Sequence, residues 1–262
     1  MMNIEPQSFK GNINQSVCRW CYPDFSLDEL CVLAKELGLY GIDLAGPEDW
    51  PVLKRYELQS TMCNGAEINL VDGWSHTQFH PTLIKNYSEI IPLVAKAGFK
   101  NLICFSGNRS GLDDETGLQN CEEGLKQIMP IAERHHVTIV MELLNSKIDH
   151  PDYQCNKTAW GVELVKRIGS ENFGLLYDIY HMQIEEGDVI RTIMENHQYI
   201  THYHTGGVPG RNEINESQEL NYPTIMKAIA GTGFQGYVAH EFVPASEDPA
   251  QSLRDAVQIC DV

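Results

Sequence analysis

Short apolar runs alternate along the chain with longer segments in which apolar residues recur every three or four positions, at a period of about 30 residues. The short runs are rich in Val, Ile, Leu and Tyr, a composition typical of strands. Most of them are apolar throughout, which indicates a parallel sheet that is buried on both faces. The eight predicted strands cover residues 13–17, 41–45, 58–63, 101–106, 137–142, 173–178, 199–204 and 236–241.

The segments between these runs predict helices. Pro81 suits the first turn of one helix, Thr158 suits the N-cap of another, and Pro130 predicts a kink in the longest. Three helices end at a glycine that suits the position after a last turn, namely Gly38, Gly98 and Gly169. The predicted helices cover 26–38, 51–56, 80–98, 116–136, 158–169, 187–196, 221–233 and 248–260.

Eight alternations of strand and helix predict a closed (β/α)8 barrel, the TIM barrel, with an open, doubly wound sheet as the second architecture. Such a barrel uses about 250 residues as one domain, which suits a chain of 262 residues. We see no linker, low-complexity stretch or internal repeat beyond the β/α period. The sequence therefore predicts a single α/β barrel domain over residues 1–262.

Composition and charge narrow the class of protein. Hydrophobic residues make up 42% of the chain and charged residues 21%, as in globular proteins with a large core. No apolar run approaches the roughly 18 residues of a membrane span, and the first residues do not resemble a signal peptide, so we expect a cytoplasmic protein without a membrane partner. The net charge of -17 argues against nucleic acid as a partner, and an anionic substrate would need a local cation.

The eight cysteines are spread along the chain. Disulfide frameworks are usually short and dense in cysteine, so reduced thiols fit this chain better. Cys18 and Cys21 form a CxxC motif, but no second CxxC or nearby Cys/His pair completes a zinc or redox site. We expect these two residues to be small side chains at a strand end near the mouth of the barrel.

The last four predicted strands each end in an acidic or imidazole side chain. These are Glu142, Asp178, His204 and Glu241. Because the carboxyl ends of parallel strands meet at one face of a barrel, we expect the four side chains to converge there. Three carboxylates and an imidazole repel one another and lose hydration unless they share a cation or protons. The pattern predicts a divalent-metal site for Mg²⁺, Mn²⁺ or Co²⁺, with Zn²⁺ also acceptable.

Further polar residues follow these strand ends. His181 lies three positions beyond Asp178, and Arg211 lies in a Gly-rich loop where its guanidinium suits a carboxylate or hydroxyl groups of a ligand. A structural histidine and a solvated loop charge are the respective alternatives. We predict that His202 and His240 point outwards and are structural. No phosphate-binding glycine motif and no GxSxG nucleophile motif is present.

Four stretches resemble a known family. They are MELLNSKIDHP, LLYDIYHMQIEEGD, the HTG and GRNEIN parts of the loop after the seventh strand, and VAHEFVP. These stretches resemble the hydroxypyruvate isomerase branch of the xylose isomerase-like TIM barrels, a superfamily that also includes ketose 3-epimerases and inosose dehydratases. His204 followed by Thr205 and Gly206 is more similar to the ketose epimerases, which leaves the substrate open.

The resemblance implies that Glu142 and Glu241 act as an acid/base pair as well as metal ligands. It implies that His181 and Arg211 contact substrate oxygens, assisted by Asp149 or Glu213. The region around Trp74, His76 and His80 matches the family least well, and we expect it to line the substrate end of the pocket. Members of the family are often dimers or tetramers, so a homo-oligomer is expected by analogy.

These residues predict enolisation chemistry on a small α-hydroxycarbonyl substrate. One glutamate removes the proton beside a polarised carbonyl, giving an enediolate, and a proton returns to the neighbouring carbon. The leading hypothesis is an isomerase of hydroxypyruvate and tartronate semialdehyde or of a ketose. A ketose 3-epimerase and an inosose-type dehydratase are alternatives. A metal-dependent endonuclease and a non-catalytic binding barrel fit the charge and the paired glutamates less well.

Overall fold

A computed structural model describes residues 10–262 of the chain, and strands alternate with helices throughout this range. Each strand is short, and apart from the exposed Gln59 in β3 the strands are almost fully buried, as the apolar runs predict. The strands are β1 (Asn14–Cys18), β2 (Gly41–Asp43), β3 (Gln59–Ser60), β4 (Asn101–Cys104), β5 (Thr138–Leu143), β6 (Phe173–Asp178), β7 (Ile200–Thr205) and β8 (Tyr237–His240).

The helices pack around the outside of these strands. Their burial is confined to one side, so each helix covers part of the sheet and leaves its other side in water. The helices are α1 (Leu27–Glu36), α2 (Trp50–Arg55), α3 (His80–Ala97), α4 (Asp114–Lys126), α5 (Met129–His135), α6 (Thr158–Ile168), α7 (Ile179–Glu185), α8 (Val189–Asn196), α9 (Tyr222–Gly231) and α10 (Pro249–Cys260).

The eight strands form one parallel sheet in the order β3-β2-β1-β8-β7-β6-β5-β4. The two outer strands meet through Cys63, which follows β3. Its N–H donates to Asn101 O at 2.9 Å, and its carbonyl accepts from Ile103 N at 2.9 Å. These bonds, with the bridge between Cys63 and Leu102, close the sheet. The predicted (β/α)8 barrel is confirmed.

Local signals explain most helix boundaries. Ser26 and Glu29 form a capping box at the start of α1, and Gly98 ends α3 in the left-handed region at φ 79°. Two predicted details are wrong. Lys157 is the N-cap of α6, because the hydroxyl of Thr158 is taken by Glu186 at 2.6 Å. Pro130 does not kink one long helix but lies in the first turn of the separate helix α5.

The interior of the barrel differs from one side to the other. Beside β4, β5 and β6 it is filled by an apolar cluster of Met62, Ile103, Val140 and Leu176. Beside β1, β2 and β7 it holds buried polar groups, among them Ser16, Asp43, Thr61 and His202. The eight cysteines are free and buried. Cys18 is the last residue of β1, as expected, whereas Cys21 lies in the 3-10 turn Arg19–Cys21 that follows the strand. Between residues 10 and 262, no helix combines the length and apolarity of a bilayer span.

Candidate metal centre and ligand pocket

The four strand-end side chains converge at the mouth of the barrel. One ligand atom from each of Glu142, Asp178, His204 and Glu241 lies within 4.8 Å of the others, and all four residues are buried. Asp178 is the last residue of β6, and Glu241 directly follows β8. Glu142 and His204 stand one position before the ends of β5 and β7. Parallel strand ends therefore place side chains that are far apart in the chain around one point.

His204 connects this cluster to a second buried group below it. Its Nδ1 lies 2.8 Å from Glu241 Oε2 and 3.3 Å from Glu142 Oε1. Its Nε2 lies 3.0 Å from Asp43 Oδ1. The Asp43 carboxylate also accepts a hydrogen bond of 2.6 Å from the hydroxyl of Thr61. Because one ring nitrogen faces Asp43, the other is directed at the two glutamates.

The prediction that His202 faces outwards is wrong. Its Nε2 lies 2.9 Å from Asp43 Oδ2, and the side chain is fully buried in the barrel interior beside His204. Residues two positions apart in a strand share a face, so His202 must point to the same side as His204. His240 does face the helix layer, where its Nε2 lies 2.9 Å from Gln15 Oε1.

Arg211 reaches into the cluster from the loop after β7. Its Nη2 donates to Asp178 Oδ2 at 3.2 Å and forms a short contact with Glu241 Oε2. The guanidinium carbon lies 5.2 Å from the ring centre of Trp20 and 5.1 Å from that of Tyr180, so aromatic rings flank the cation. Trp20 also donates from Nε1 to Glu241 Oε1 at 2.8 Å. Nothing in the sequence pattern pointed to Trp20.

His181 is oriented by Asn145 and, through it, by Asp149. Asn145 Oδ1 accepts from the backbone N–H groups of Ile148 and Asp149, so its Nδ2 must donate, to Asp149 at 2.7 Å and to His181 Nδ1 at 2.6 Å. Burial lowers the pKa of His181 well below its usual range, so the neutral ring carries its hydrogen on Nε2. That nitrogen lies 3.1 Å from Arg211 Nη1. Because a guanidinium only donates, this contact requires Nε2 to accept, whereas Asn145 requires Nδ1 to accept, and a neutral ring accepts at one nitrogen only. A ligand oxygen between Nε2 and Nη1 would remove this conflict by accepting from both.

The four side chains of the cluster differ in the direction in which their pKa values are shifted. Burial raises the pKa of Glu142, and it raises the pKa of Asp178 to about 8 against the opposing effect of Arg211. Burial would also raise the pKa of Glu241, but Arg211 and His204 outweigh it and hold this pKa well below its usual range. Burial opposes protonation of His204, yet the neighbouring Glu241 raises its pKa well above the ordinary value. Protons and Arg211 thus neutralise the acids.

The donor set fits a divalent cation. Three carboxylates and one imidazole are the ligands that Mg²⁺, Mn²⁺ and Co²⁺ accept, and Zn²⁺ also tolerates them. Their ligand atoms already lie within 4.8 Å of one another. A metal-binding histidine usually donates its second N–H to a carboxylate, and Asp43 offers that partner to His204. These observations make the cluster a candidate metal centre.

A pocket of about 800 Å³ opens above the cluster. Glu142, His181, Arg211 and Glu241 line its inner end. The rest of its wall comes largely from apolar strand ends and from residues 64 and 67–72 in the loop after β3. The sequence predicts that the region around Trp74, His76 and His80 lines the pocket, whereas the side chains that do so come from an earlier part of the same segment.

Two residues predicted to bind substrate lie elsewhere. Trp74 is fully buried and packs against Tyr87 and His80, with ring centres 5.3 and 5.8 Å away. The residue before it, Gly73, is pressed against the backbone of Gly107 and leaves no space for a Cβ. Glu213 accepts hydrogen bonds from the backbone of residues 245 and 246, so it fixes the loop after β8 instead of facing the pocket.

Asp43 was overlooked, although the sequence carries a signal for it. An acid inside the short apolar run GIDLA is unusual, because a buried carboxylate needs partners. The strand ends at Asp43, two residues earlier than predicted, and its partners come from β7 and from Thr61. Those partners could not be identified from local sequence.

The fold and the strand-end site define an α/β barrel with a ligand-sized pocket at the carboxyl ends of its strands, polar at its inner end and largely apolar beyond it. Residues 32–260 match the sequence model of one family, described as xylose isomerase-like TIM barrel. The chain belongs to this xylose isomerase-like TIM barrel family. The family resemblance predicted from the four motifs is thereby confirmed.

Individual relatives match over shorter segments. The chain is 34% identical over 108 residues to the 2-oxo-tetronate isomerase of Cupriavidus necator, and this alignment covers 41% of each chain. It is 27% identical over 154 residues to the hydroxypyruvate isomerase of Escherichia coli, covering 58% of this chain and 59% of that one. The aligned segments therefore span less than two thirds of these relatives.

Among solved structures, the chain is similar to one described as an AP endonuclease of family 2 from Brucella melitensis. The TM-score is 0.82 at 24% identity, and the match covers 92% of this chain and 97% of that one. At this identity the likeness supports the fold alone.

Proposed function

We propose that this protein is a metal-dependent isomerase of a small α-hydroxycarbonyl compound, either hydroxypyruvate and tartronate semialdehyde or a ketose. The observation that carries the proposal is the pair of glutamates, Glu142 and Glu241, which meet from strands β5 and β8 at the inner end of one pocket. A binding protein has no need for two buried bases at its ligand. The names of the two relatives described above agree with an isomerase.

Glu142, Asp178, His204 and Glu241 would hold the divalent ion. When bound, the ion supplies Lewis-acid polarisation of a carbonyl, which makes the neighbouring C–H more acidic. Asp43 holds His204 from below, so that Nδ1 faces Glu241 and would be the nitrogen that binds the ion.

The two glutamates divide the proton transfer. Glu241 is kept ionised by Arg211 and His204 and is oriented by Trp20, so it is suited to accept the proton from carbon. Burial raises the pKa of Glu142, which favours proton uptake by this side chain. One of its carboxylate oxygens would hold the ion, and the other would take up a proton and deliver it to the neighbouring carbon. Opposite environments for two carboxyl groups are a recurring basis for acid and base roles.

His181 and Arg211 hold the oxygen on which negative charge develops. Their donors lie 3.1 Å apart and face the pocket, so one enediolate oxygen accepts from both. Asp149 acts through Asn145, which keeps the hydrogen of His181 on Nε2. Asp149 is therefore a positioning residue in this proposal.

Epimerisation of a ketose is the second candidate function. The same first step gives the enediolate, but the second glutamate returns the proton to the opposite face of the same carbon. The approach of the two glutamates from different strands suits this outcome as well. A dehydratase on the same barrel would differ by losing water after enolisation.

Deuterium uptake tests the proposal. The protein would be incubated in D₂O with Mn²⁺ or Mg²⁺ and a set of hydroxypyruvate, short α-hydroxy ketones and ketohexoses. We expect one deuterium at the carbon beside the carbonyl, with the product otherwise unchanged in mass. Loss of water would assign the dehydratase. Absence of exchange with every compound in the metal-loaded protein would contradict the proposed function.

A further inference from the structure

A group of polar side chains fills one side of the barrel interior below the mouth. Its members are buried and comprise Ser16, Asp43, Thr61 and His202. The interior of a (β/α)8 barrel is usually filled by apolar residues, as the opposite side of this interior is. Apolar side chains of similar volume would avoid the desolvation cost of a buried carboxylate and imidazole. The polar side is thus costly for folding, and a role in function would account for it.

Four side chains converge on the carboxylate of Asp43. Its Oδ1 lies 3.0 Å from His204 Nε2 and 3.6 Å from Cys18 Sγ. Its Oδ2 accepts a hydrogen bond of 2.6 Å from the hydroxyl of Thr61 and lies 2.9 Å from His202 Nε2. Both oxygens are therefore held, and the carboxylate cannot rotate without losing contacts on either side.

His202 contacts both members of the Asp43–His204 pair. Besides the contact between its Nε2 and Asp43, its ring packs edge to face on the ring of His204, with centres 5.2 Å apart and an angle of 82°. The contact with Asp43 is not aligned as a hydrogen bond, and Nδ1 of His202 has no partner among residues 10–262. Buried ring nitrogens without aligned partners cost free energy. Support of Asp43 is the benefit that this ring offers in return.

We propose that His202 is a positioning residue of the metal centre: together with Thr61 it fixes Asp43, and Asp43 presents Nδ1 of His204 to the ion. The inference rests on the proposed function, which makes His204 a metal ligand. A metal-binding histidine is oriented by the carboxylate behind it, and such outer residues strongly affect metal affinity. Without His202, Asp43 gains freedom to turn, and His204 is held less firmly in the orientation that binds the ion.

Metal affinity and stability together give the first test. His202→Phe keeps a ring that can pack on His204 but removes both ring nitrogens. Calorimetry should show that affinity for Mn²⁺ falls by about 3–10-fold, less than is typical of a residue that contacts a metal ligand directly. With a chelator present, the urea midpoint should be no lower than that of the unmodified protein, because no buried nitrogen is left without a partner. Unchanged Mn²⁺ affinity in folded His202→Phe would overturn the inference.

A conservative variant separates polar support from packing. His202→Gln loses the ring but keeps N–H donors within reach of Asp43, so it should bind Mn²⁺ more tightly than His202→Phe. The opposite order would assign His202 to packing alone and overturn the inference. Met62→Leu, on the apolar side of the interior, is the control and should leave Mn²⁺ affinity unchanged.

A double-variant cycle tests whether His202 acts through Asp43. Asp43→Asn should lower Mn²⁺ affinity by about 10–100-fold. In that background, His202→Phe should lower the affinity by less than about twofold further, because the group on which it acts is gone. The same loss from His202→Phe in both backgrounds would contradict this route.

Thr61→Val reports on the same network should His202→Phe fail to fold. It removes the hydroxyl that donates to Asp43 Oδ2 and should weaken Mn²⁺ binding by about 3–10-fold. Weaker Mn²⁺ binding by Thr61→Val and His202→Phe supports the inference even if no compound exchanges deuterium. Unmodified affinity in both folded variants would overturn it while leaving the proposed isomerase in place. Absence of Mn²⁺ binding by the unmodified protein would overturn both proposals.

Discussion

The two halves of the barrel contribute different things to the site. Strands β5 to β8 supply the four strand-end donors, and the loops that follow β5 to β7 add the groups that hold them. Strands β1 to β4 supply the apolar wall, the loop after β3 and the buried Asp43. In the proposed function, the β5–β8 half carries the reactive groups, and the β1–β4 half lines the entrance to them and holds His204 through Asp43. Substitutions in the β5–β8 half should therefore affect proton transfer, and substitutions in the apolar wall and loop of the β1–β4 half should affect ligand binding.

The largest expected loss of activity comes from substitutions in the β5–β8 half. Glu142→Gln and Glu241→Gln should each lower the rate of deuterium uptake by about 10²–10⁴-fold, because an amide cannot accept or deliver the proton. Circular dichroism should show that both variants remain folded. Glu213→Gln is the control, since Glu213 fixes the loop after β8 away from the pocket, and it should keep its rate. Exchange at the wild-type rate in either cluster variant would disprove its assigned role.

The same half should make metal affinity depend on pH. Burial raises the pKa of Asp178 to about 8, so below this pH its carboxyl group holds a proton that a metal ion must displace. Affinity for Mn²⁺ should therefore fall by about tenfold per pH unit, for each proton displaced, as the pH drops from about 8 to 6.

Calorimetry in buffers of different ionisation enthalpy would count the protons released. Asp178→Asn should bind Mn²⁺ more weakly and with a smaller pH dependence. Constant affinity over this pH range in the unmodified protein would contradict the role assigned to Asp178.

The two halves also differ in how far the sequence predicts them. Glu142, Asp178, His204 and Glu241 each end an apolar run, and the regular alternation of strand and helix places such ends together. The position of the loop after β3 has no such periodic signal. It depends on the close approach of Gly73 to Gly107, a long-range contact that local pattern does not encode. Trp74 and Glu213 were misplaced for the same reason, because tertiary contacts turn them away from the pocket.

Substitution of Gly107 should disturb the β1–β4 half alone. A Cβ at this position would lie 2.5 Å from Gly73 N and 2.6 Å from Val71 O, and its φ of +81° is already unfavourable for alanine. Gly107→Ala should lower the free energy of unfolding by about 3 kcal/mol. Gly111→Ala, at φ +89° with no atom within 4 Å, should cost only the backbone strain of about 1–2 kcal/mol.

Ligand and Mn²⁺ binding by these two variants would show whether the two halves of the barrel can be disturbed independently. Gly107→Ala should raise KM for the compound that exchanges deuterium, because Val71 and its loop must move, while leaving Mn²⁺ affinity unchanged. Gly111→Ala should change neither. Loss of Mn²⁺ affinity in a folded Gly107→Ala protein would show that the halves are not separable.

The smallest effect concerns His240, which β8 directs at the helix layer. Burial lowers its pKa to about 3, so the folded protein leaves this ring neutral where an unfolded chain, with a pKa of about 6.5, binds a proton. Stability that is present above about pH 6.5 is therefore lost as the pH falls towards 3.

Urea unfolding should show that the free energy of unfolding falls between about pH 7 and pH 5.5. This fall should be about 1 kcal/mol smaller in His240→Gln than in the unmodified protein. His197→Gln, at an exposed position, is the control and should retain the full loss. Equal pH dependence in His240→Gln and the unmodified protein would contradict burial of a neutral ring.

Anomalous diffraction from crystals grown with Mn²⁺ would show whether the four strand-end side chains hold a metal ion. We expect one Mn²⁺ within about 2–2.5 Å of a carboxylate oxygen from Glu142, Asp178 and Glu241 and of His204 Nδ1. Arg211 should then have moved from Asp178 towards the pocket. A folded protein in saturating Mn²⁺ with no ion at this point, or with an ion bound through Nε2 of His204, would contradict the account.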